Sequence, residues 1–422
     1  MKLTTTFLLL FATVFNLKSY AQDALTPKVY GFVRTDFIAD SRKIKSSSLD
    51  LFSFYPMYKD FNTDGEDLNA VASSSMSSIV SRFGFELRTP SSIFGSKTTI
   101  SKIETDFAGS PTYMLLRIRQ AYSQLFWEHS SLLIGQTWHP ISTIGQHPTV
   151  LSLNTGAPFE PFNRSPQVRY EKQLNSIKLT AAAIYQMMYT SYGPDETSPN
   201  TVVASPNFQR NAILPDLYVS IEQKLRNTTL GLGFDYKTIM PTRYVYDNQI
   251  IPQKHINRNR LSTPAVLLYG SYNKDLLTIK AKGLYGQNLA EHSLLGGYAI
   301  TLDNNYIPYN TVSSYLNILY GKTHQFGLLV GYTENLGPNS TLPLGSKYYG
   351  FGIDQANTFA ERLVKNMYRF APSYSYNYQN WNLGVEFEYT NAAWGHRTTS
   401  GSINFDERTA NNRIYAIMVY NF

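Results

Sequence analysis

From Ile79 to Arg88 the chain alternates without a break. Ile79, Ser81, Phe83, Phe85 and Leu87 hold one set of positions, and Val80, Arg82, Gly84, Glu86 and Arg88 hold the other. A period of two sends successive side chains to opposite faces of an extended strand. Charge on every second residue does not suit a buried helix, so the segment reads as a strand with one apolar and one polar face. The same pattern occurs at both ends of the chain. Val29, Gly31, Val33 and Phe37 alternate with Tyr30, Phe32, Arg34 and Asp36, while Ile414, Ala416, Met418, Tyr420 and Phe422 face away from Arg413, Tyr415 and Asn421.

Further strands are predicted near residues 97–108, 113–127, 131–138, 166–172, 176–189, 216–226, 228–238, 261–272, 276–287, 312–320, 323–334, 366–378 and 380–391. With the three segments above, the total is about sixteen. The connections alternate in length. Long ones fall near 40–78, 139–165, 190–215, 239–260, 288–311, 335–365 and 392–410, and short ones at Thr89–Ser96, Glu128–Ser130, Gln173–Asn175, Asn227, Asn273–Asp275, Gly321–Lys322 and Gln379. Only Gly109–Pro111 breaks the rule. Even strand number, short periplasmic turns and long extracellular loops describe an all-β fold, a transmembrane antiparallel β-barrel.

The N-terminus fits this destination. Met1-Lys2-Leu3, the apolar run Phe7 to Phe15 and the small-x-small site at Ser19-Tyr20-Ala21 form a secretory signal peptide over residues 1–21. Its apolar core is far shorter than the roughly 20 residues of a membrane helix. Residues 22–422 are expected to form one barrel domain in the outer membrane of a Gram-negative cell, surrounded by outer-membrane lipids and lipopolysaccharide. The 32 Tyr and 24 Phe fit aromatic girdles, and a hydrophobic content of 43% is too low for a helical membrane protein.

Backbone groups in hydrocarbon must all be paired, so the strands have to close on themselves. Sixteen strands close around an aqueous channel instead of a packed core. The expected function is passive diffusion of small hydrophilic solutes. A substrate-specific carrier, or a structural barrel without an open pore, is the alternative. Loss of Lys2 and Lys18 with the signal peptide lowers the formal charge from +7 to about +5, and the basic residues never cluster as a nucleic-acid site requires. Absence of cysteine excludes disulfides and thiolate chemistry. No G-x-S-x-G elbow occurs and the seven histidines are scattered, so no enzyme and no cofactor is expected. A wall-mounted Ser-His pair using His324 is the one hydrolytic arrangement to check.

Alternation assigns Arg34, Arg82, Arg88, Arg117, Arg119, Arg169 and Lys102 to the lumen of the first six strands, with Asp36, Glu86, Glu104, Asp106 and Glu171. Rings of charged side chains set pore selectivity. The loop His139 to Ser165 joins the fifth and sixth strands, the position at which sixteen-stranded porins fold a loop inward. It carries His139, His147, Glu160 and Arg164. The expected constriction is Arg82, Arg117 and Arg119 on the wall, faced by this loop. Lys178, Lys280, Lys282 and Arg369 are weaker basic positions, opposed by Glu386 and Glu388. Phe83, Phe85, Phe107, Tyr122, Phe234, Tyr236, Phe387, Tyr389 and Tyr420 are assigned to the lipid face as interfacial anchors. In the first long loop Asp60, Asn62, Asp64 and Gly65 match the first half of a calcium loop, but Val71 stands where the bidentate Glu belongs, so a plain polar turn is expected, with calcium binding the alternative.

Two segments carry a family resemblance. Arg117 to Pro140, RIRQAYSQLFWEHSSLLIGQTWHP, followed after a long loop by RSPQVRYEKQ from Arg164 to Gln173, resembles the DcaP-like porins, most strongly over residues 110–173. The resemblance implies a homotrimer that passes small anions such as dicarboxylates through an arginine-rich constriction. Those porins often begin with a periplasmic helical extension, whereas about seven residues here separate the cleavage site from the first strand. The closing strand Tyr415 to Phe422 is similar to the C-terminal signal read by barrel-assembly machinery.

Overall fold

The computed structural model describes residues 26–90, 93–109, 115–142, 146–196, 201–246, 253–354 and 362–422. The segment 1–21 predicted as a signal peptide, and Ser110 and Pro111 of the irregular connection, lie outside them. Sixteen strands form one closed antiparallel barrel. In chain order they are β1 Thr26–Asp40, β2 in two pieces (Ser73–Ser77 and Arg82–Pro90), β3 Thr98–Asp106, β4 Arg117–Phe126, β5 Ser130–Trp138, β6 Arg164–Leu174, β7 Ile177–Ile184 and β8 Asp216–Lys224. The second half comprises β9 Thr228–Ile239, β10 Leu261–Lys274, β11 Leu277–Gln287, β12 Tyr306–Gly321, β13 His324–Pro338, β14 Arg362–Tyr378, β15 Trp381–Arg397 and β16 Ile403–Asn421.

Each strand pairs with its sequence neighbours, and β1 closes on β16 from Phe32↔Asn421 to Asp40↔Arg413. The seam is fastened at both ends. Gly31 and Phe422 exchange two backbone hydrogen bonds, and Arg413 grips Asp40 through Nε to Oδ1 and Nη2 to Oδ2, both 2.8 Å. Closure pairs the backbone and removes the edges that would otherwise be left in lipid.

Alternation survives almost everywhere. In β9, Leu230, Leu232 and Phe234 point outward, half-exposed, while Gly231, Gly233 and Asp235 are buried. Three departures have local causes. A β-bulge between Glu104 and Thr105 opposes Arg119 and Gln120 on β4, so parity flips. Tyr122 then pairs with Lys102 and faces the lumen, which corrects its assignment to the lipid face. A second irregularity separates the two pieces of β2. Ile79 and Val80 are both buried in the interior cluster, so Ile79 does not share the lipid face of Phe83. Finally, the connection placed at 392–410 is mostly strand: β15 and β16 pair as far as Arg397↔Ile403, leaving a tight turn.

The barrel interior is not empty above its middle. The β1–β2 connection forms a hairpin, Ile44–Ser47 with Phe52–Pro56, whose second arm is wholly buried. The β5–β6 loop meets it there, with Phe52 against Phe162 at 4.8 Å between ring centroids. The β7–β8 connection contributes one short helix, α1 Asn207–Ala212.

Candidate pore constriction

The β5–β6 loop leaves the wall at His139 and crosses the lumen as expected. Its fixings are chiefly hydrogen bonds between its own backbone and side chains of the opposite wall. Lys280 donates to the carbonyl of His147 at 2.9 Å and Tyr315 to that of Gln146 at 2.6 Å. Asn317 accepts from the amide of Thr149 at 2.8 Å, and Glu386 from Leu151 and Ser152 at 2.8 and 3.2 Å. Ser313 and Arg369 hold the carbonyls of Phe159 and Ala157. A loop inside a barrel must satisfy its backbone against protein or water, and these wall residues supply the partners. Two glycines admit it: a Cβ at Gly331 would strike the ring of Phe159, and one at Gly384 would strike Leu151.

The charges of that far wall are therefore anchors. Glu160 lies 2.6 Å from Lys282 Nζ, each side chain 1% exposed, and Arg369 and Glu388 are equally buried. Sequence parity places Lys282, Arg369, Glu386 and Glu388 in the lumen correctly, yet the loop covers them. Burial, then the charge of Lys282, pushes the His147 imidazole on this loop down to about 4. It contacts the Ser142 carbonyl at 3.0 Å and packs on Trp138.

Opposite the loop, β1 to β4 form a ladder of paired charges. Asp106 is held bidentately by Arg117 (2.9 and 2.8 Å) and by Arg119 Nη1 (2.8 Å), and Arg119 Nε reaches Glu104 at 3.1 Å. Arg82 and Lys102 approach Glu104 more loosely, at 3.7 and 3.9 Å. They stack on Phe32 and Tyr30, each 4.9 Å from the ring centroid. Tyr30 also donates to Glu104 at 3.1 Å. Arg34 binds Asp36 at 2.7 Å and donates to the Leu151 carbonyl at the same distance, joining ladder to loop. Arg82, Lys102 and Arg117 keep 21, 19 and 18% of their side chains exposed. Within the ladder these three cations stay partly open to the lumen.

The structure thus brings together Arg34, Arg82, Lys102, Arg117 and Arg119. It separates four other candidates. Arg88 lies six residues along β2 from Arg82, about 20 Å toward the periplasmic end. Arg169, on β6, pairs with Glu171 at 3.4 Å further round the wall. Arg164 is fully buried, its guanidinium over Trp138, Phe162 and Tyr189, and Glu160 is the buried partner of Lys282. Sequence reasoning missed the hairpin of the first loop, where Arg369 Nη2 donates to the Ser53 carbonyl and Trp394 to that of Pro56. The run Leu51 to Pro56, LFSFYP, was its signal: an apolar run in a supposedly external loop has to find cover.

The remaining candidates resolve simply. Asn62 Oδ1 accepts from the amides of Asp64 and Glu66, both 2.9 Å, so the Asp60 to Glu66 segment is a self-closed polar turn. Among the described residues no group of three ligating side chains suits a metal ion. His324 contacts the Tyr374 hydroxyl at 2.8 Å, an arrangement without a serine nucleophile.

No family model matches the sequence, and no curated protein matches it. Solved structures do match in fold. The outer-membrane channel DcaP of Acinetobacter baumannii superposes with a TM-score of 0.66 at 18% identity, covering 96% of this chain and 99% of that one. OmpT of Vibrio cholerae, in its trimer form, gives 0.54 at 12% identity over 95% and 100%. OmpF of Salmonella typhi, in complex with daunomycin, gives 0.51 at 9% over 96% and 100%. The fold is that of the outer-membrane porins, and the resemblance to DcaP-like porins extends to the whole barrel.

Proposed function

We propose that the chain is an outer-membrane porin that passes small hydrophilic solutes passively and favours anions such as small carboxylates. The supporting observation is the asymmetry of the lumen: partly exposed Arg82, Lys102 and Arg117 lie opposite a loop whose acid, Glu160, is buried against Lys282 and whose Arg164 is buried among aromatic rings. Acids and bases in the ladder mostly pair, but Arg34, Arg82, Lys102, Arg117 and Arg119 outnumber Asp36, Glu86, Glu104 and Asp106 by one, leaving a small positive excess. Such an excess in a narrow passage enriches anions. Liposome swelling tests the reading: faster swelling with succinate than with a neutral solute of equal size supports it, and no swelling with any solute refutes it.

A second reading, a substrate-selective carrier, draws on the first-loop hairpin, which narrows the upper lumen beside the inward loop. Swelling confined to one solute class would favour it.

A homotrimer is proposed on the family resemblance. Phe422, which closes the seam against Gly31, is proposed as the residue the barrel-assembly machinery reads, so its deletion should reduce the folded, heat-modifiable protein in the membrane. The signal peptide is proposed to deliver the chain through the inner membrane.

A further inference from the structure

Outside the lumen, the β9–β10 connection carries basic charge that the pore does not use. Arg243, Arg258 and Arg260 line a cleft of about 430 Å³ with Asn211, Met240 and Tyr244. All three arginines are exposed. Among the described residues no carboxylate lines the cleft.

Strand parity fixes where the cleft stands. Phe234 and Tyr236 on β9 and Val266 on β10 face lipid. On β10 the exposed Pro264 and Ser262 carry that face upward to Arg260, beside a buried Thr238 on β9. On β8 the outward Leu217 leads up to Ile213 and Leu214, which are 73 and 47% exposed. The arginines therefore sit at the extracellular rim of the lipid-facing wall, immediately above apolar side chains.

This placement suits an amphipathic anion with its charge at headgroup level and its chains below. Guanidinium groups bind phosphate through paired, charge-assisted hydrogen bonds. Three exposed guanidiniums suit a ligand with more than one phosphate, and basic pockets beside a membrane wall take such headgroups. We propose that this cleft docks the phosphate groups of the phosphorylated glycolipid of the outer leaflet, lipopolysaccharide. The site rests on the outer-membrane placement and is independent of solute passage through the lumen.

The test is binding of bisphosphorylated lipid A to the purified full chain in detergent, with the triple variant R243Q/R258Q/R260Q alongside. The wild-type chain is expected to bind at least tenfold more tightly than the variant, and dephosphorylated lipid A to bind the wild type no better than bisphosphorylated lipid A binds the variant. Equal binding by the variant, or by the dephosphorylated lipid, overturns the site. Displacement of lipid A by inorganic pyrophosphate at comparable concentration also overturns it, since the cleft would then serve a soluble anion. Heat-modifiable migration reports the variant's fold; should that be lost, R260Q alone decides, with a threefold loss expected and no loss refuting. Bilayer conductance is read on the same samples, so failure of the porin reading shows separately from failure of lipid docking.

Discussion

Replacing Arg82 and Lys102 by glutamine should remove most of the anion preference while leaving the barrel intact. The two are suited to removal because they hold Glu104 only at 3.7 and 3.9 Å, whereas Arg119 at 3.1 Å and the Tyr30 hydroxyl remain on that carboxylate. No buried acid is orphaned, and loose, partly exposed pairs contribute about 1 kcal/mol or less to stability. A unit charge ~8 Å from an ion's path contributes about 0.5 kcal/mol in water, reduced to about 0.25 kcal/mol by ~0.1 M salt. As about 1.4 kcal/mol is a factor of ten, each charge enriches an anion about 1.5-fold and depletes a cation equally. Two charges then change the chloride-to-potassium permeability ratio about fivefold, and low-dielectric walls raise the figure. Across a tenfold potassium chloride gradient a fivefold ratio corresponds to about 30 mV of reversal potential. The double variant should therefore move by about that much toward zero in a planar bilayer. A variant that stays within about 5 mV of the wild type would refute the assignment of these cations to the passage.

Other perturbations test the frame. Gly331→Val should push Phe159 and its loop off β13, costing about 1–3 kcal/mol by overpacking, and should raise single-channel conductance; unchanged conductance would place the loop elsewhere. Arg413→Gln leaves the buried Asp40 without its bidentate partner at the seam, so a loss of about 3–5 kcal/mol is expected, read as a lower temperature for the heat-modifiable shift. For pH, burial and then Lys282 hold the His147 imidazole down to about 4, below its usual value near 6.5. The unfolded loop binds the extra proton first, so loop attachment is fully present above about pH 6.5 and declines as pH falls toward 4. Channel noise should rise over that window and lose its pH dependence in His147→Gln.

Much of this was written in the sequence because a barrel wall has one requirement, alternation, and each strand declares it alone. Phe83 and Phe85, or Leu230 and Phe234, identify a lipid face without help from other strands. Tyr122 was misplaced because the bulge at Arg119 and Gln120 is a property of the β3–β4 pair, which inserts one residue opposite Glu104 and Thr105. Ile79 failed for the same kind of reason at the break in β2. The ladder of Arg82, Arg117 and Arg119 was legible from parity, but which lumenal charges remain exposed was not. Lys282, Arg369 and Glu386 have the same parity signature as Arg82. What distinguishes them is a tertiary fact, the choice of the β5–β6 loop to lie against β11 to β15. Arg88 shows the complementary limit, since alternation assigns a face and register assigns a height.

Single-channel recording of the purified wild-type protein in a potassium chloride gradient tests the central claim most directly. An open channel with conductance steps in multiples of three and a reversal potential of anion-selective sign is predicted. Open channels of cation-selective sign would contradict the arginine-lined passage, and a bilayer that stays silent with folded protein inserted would contradict the pore itself.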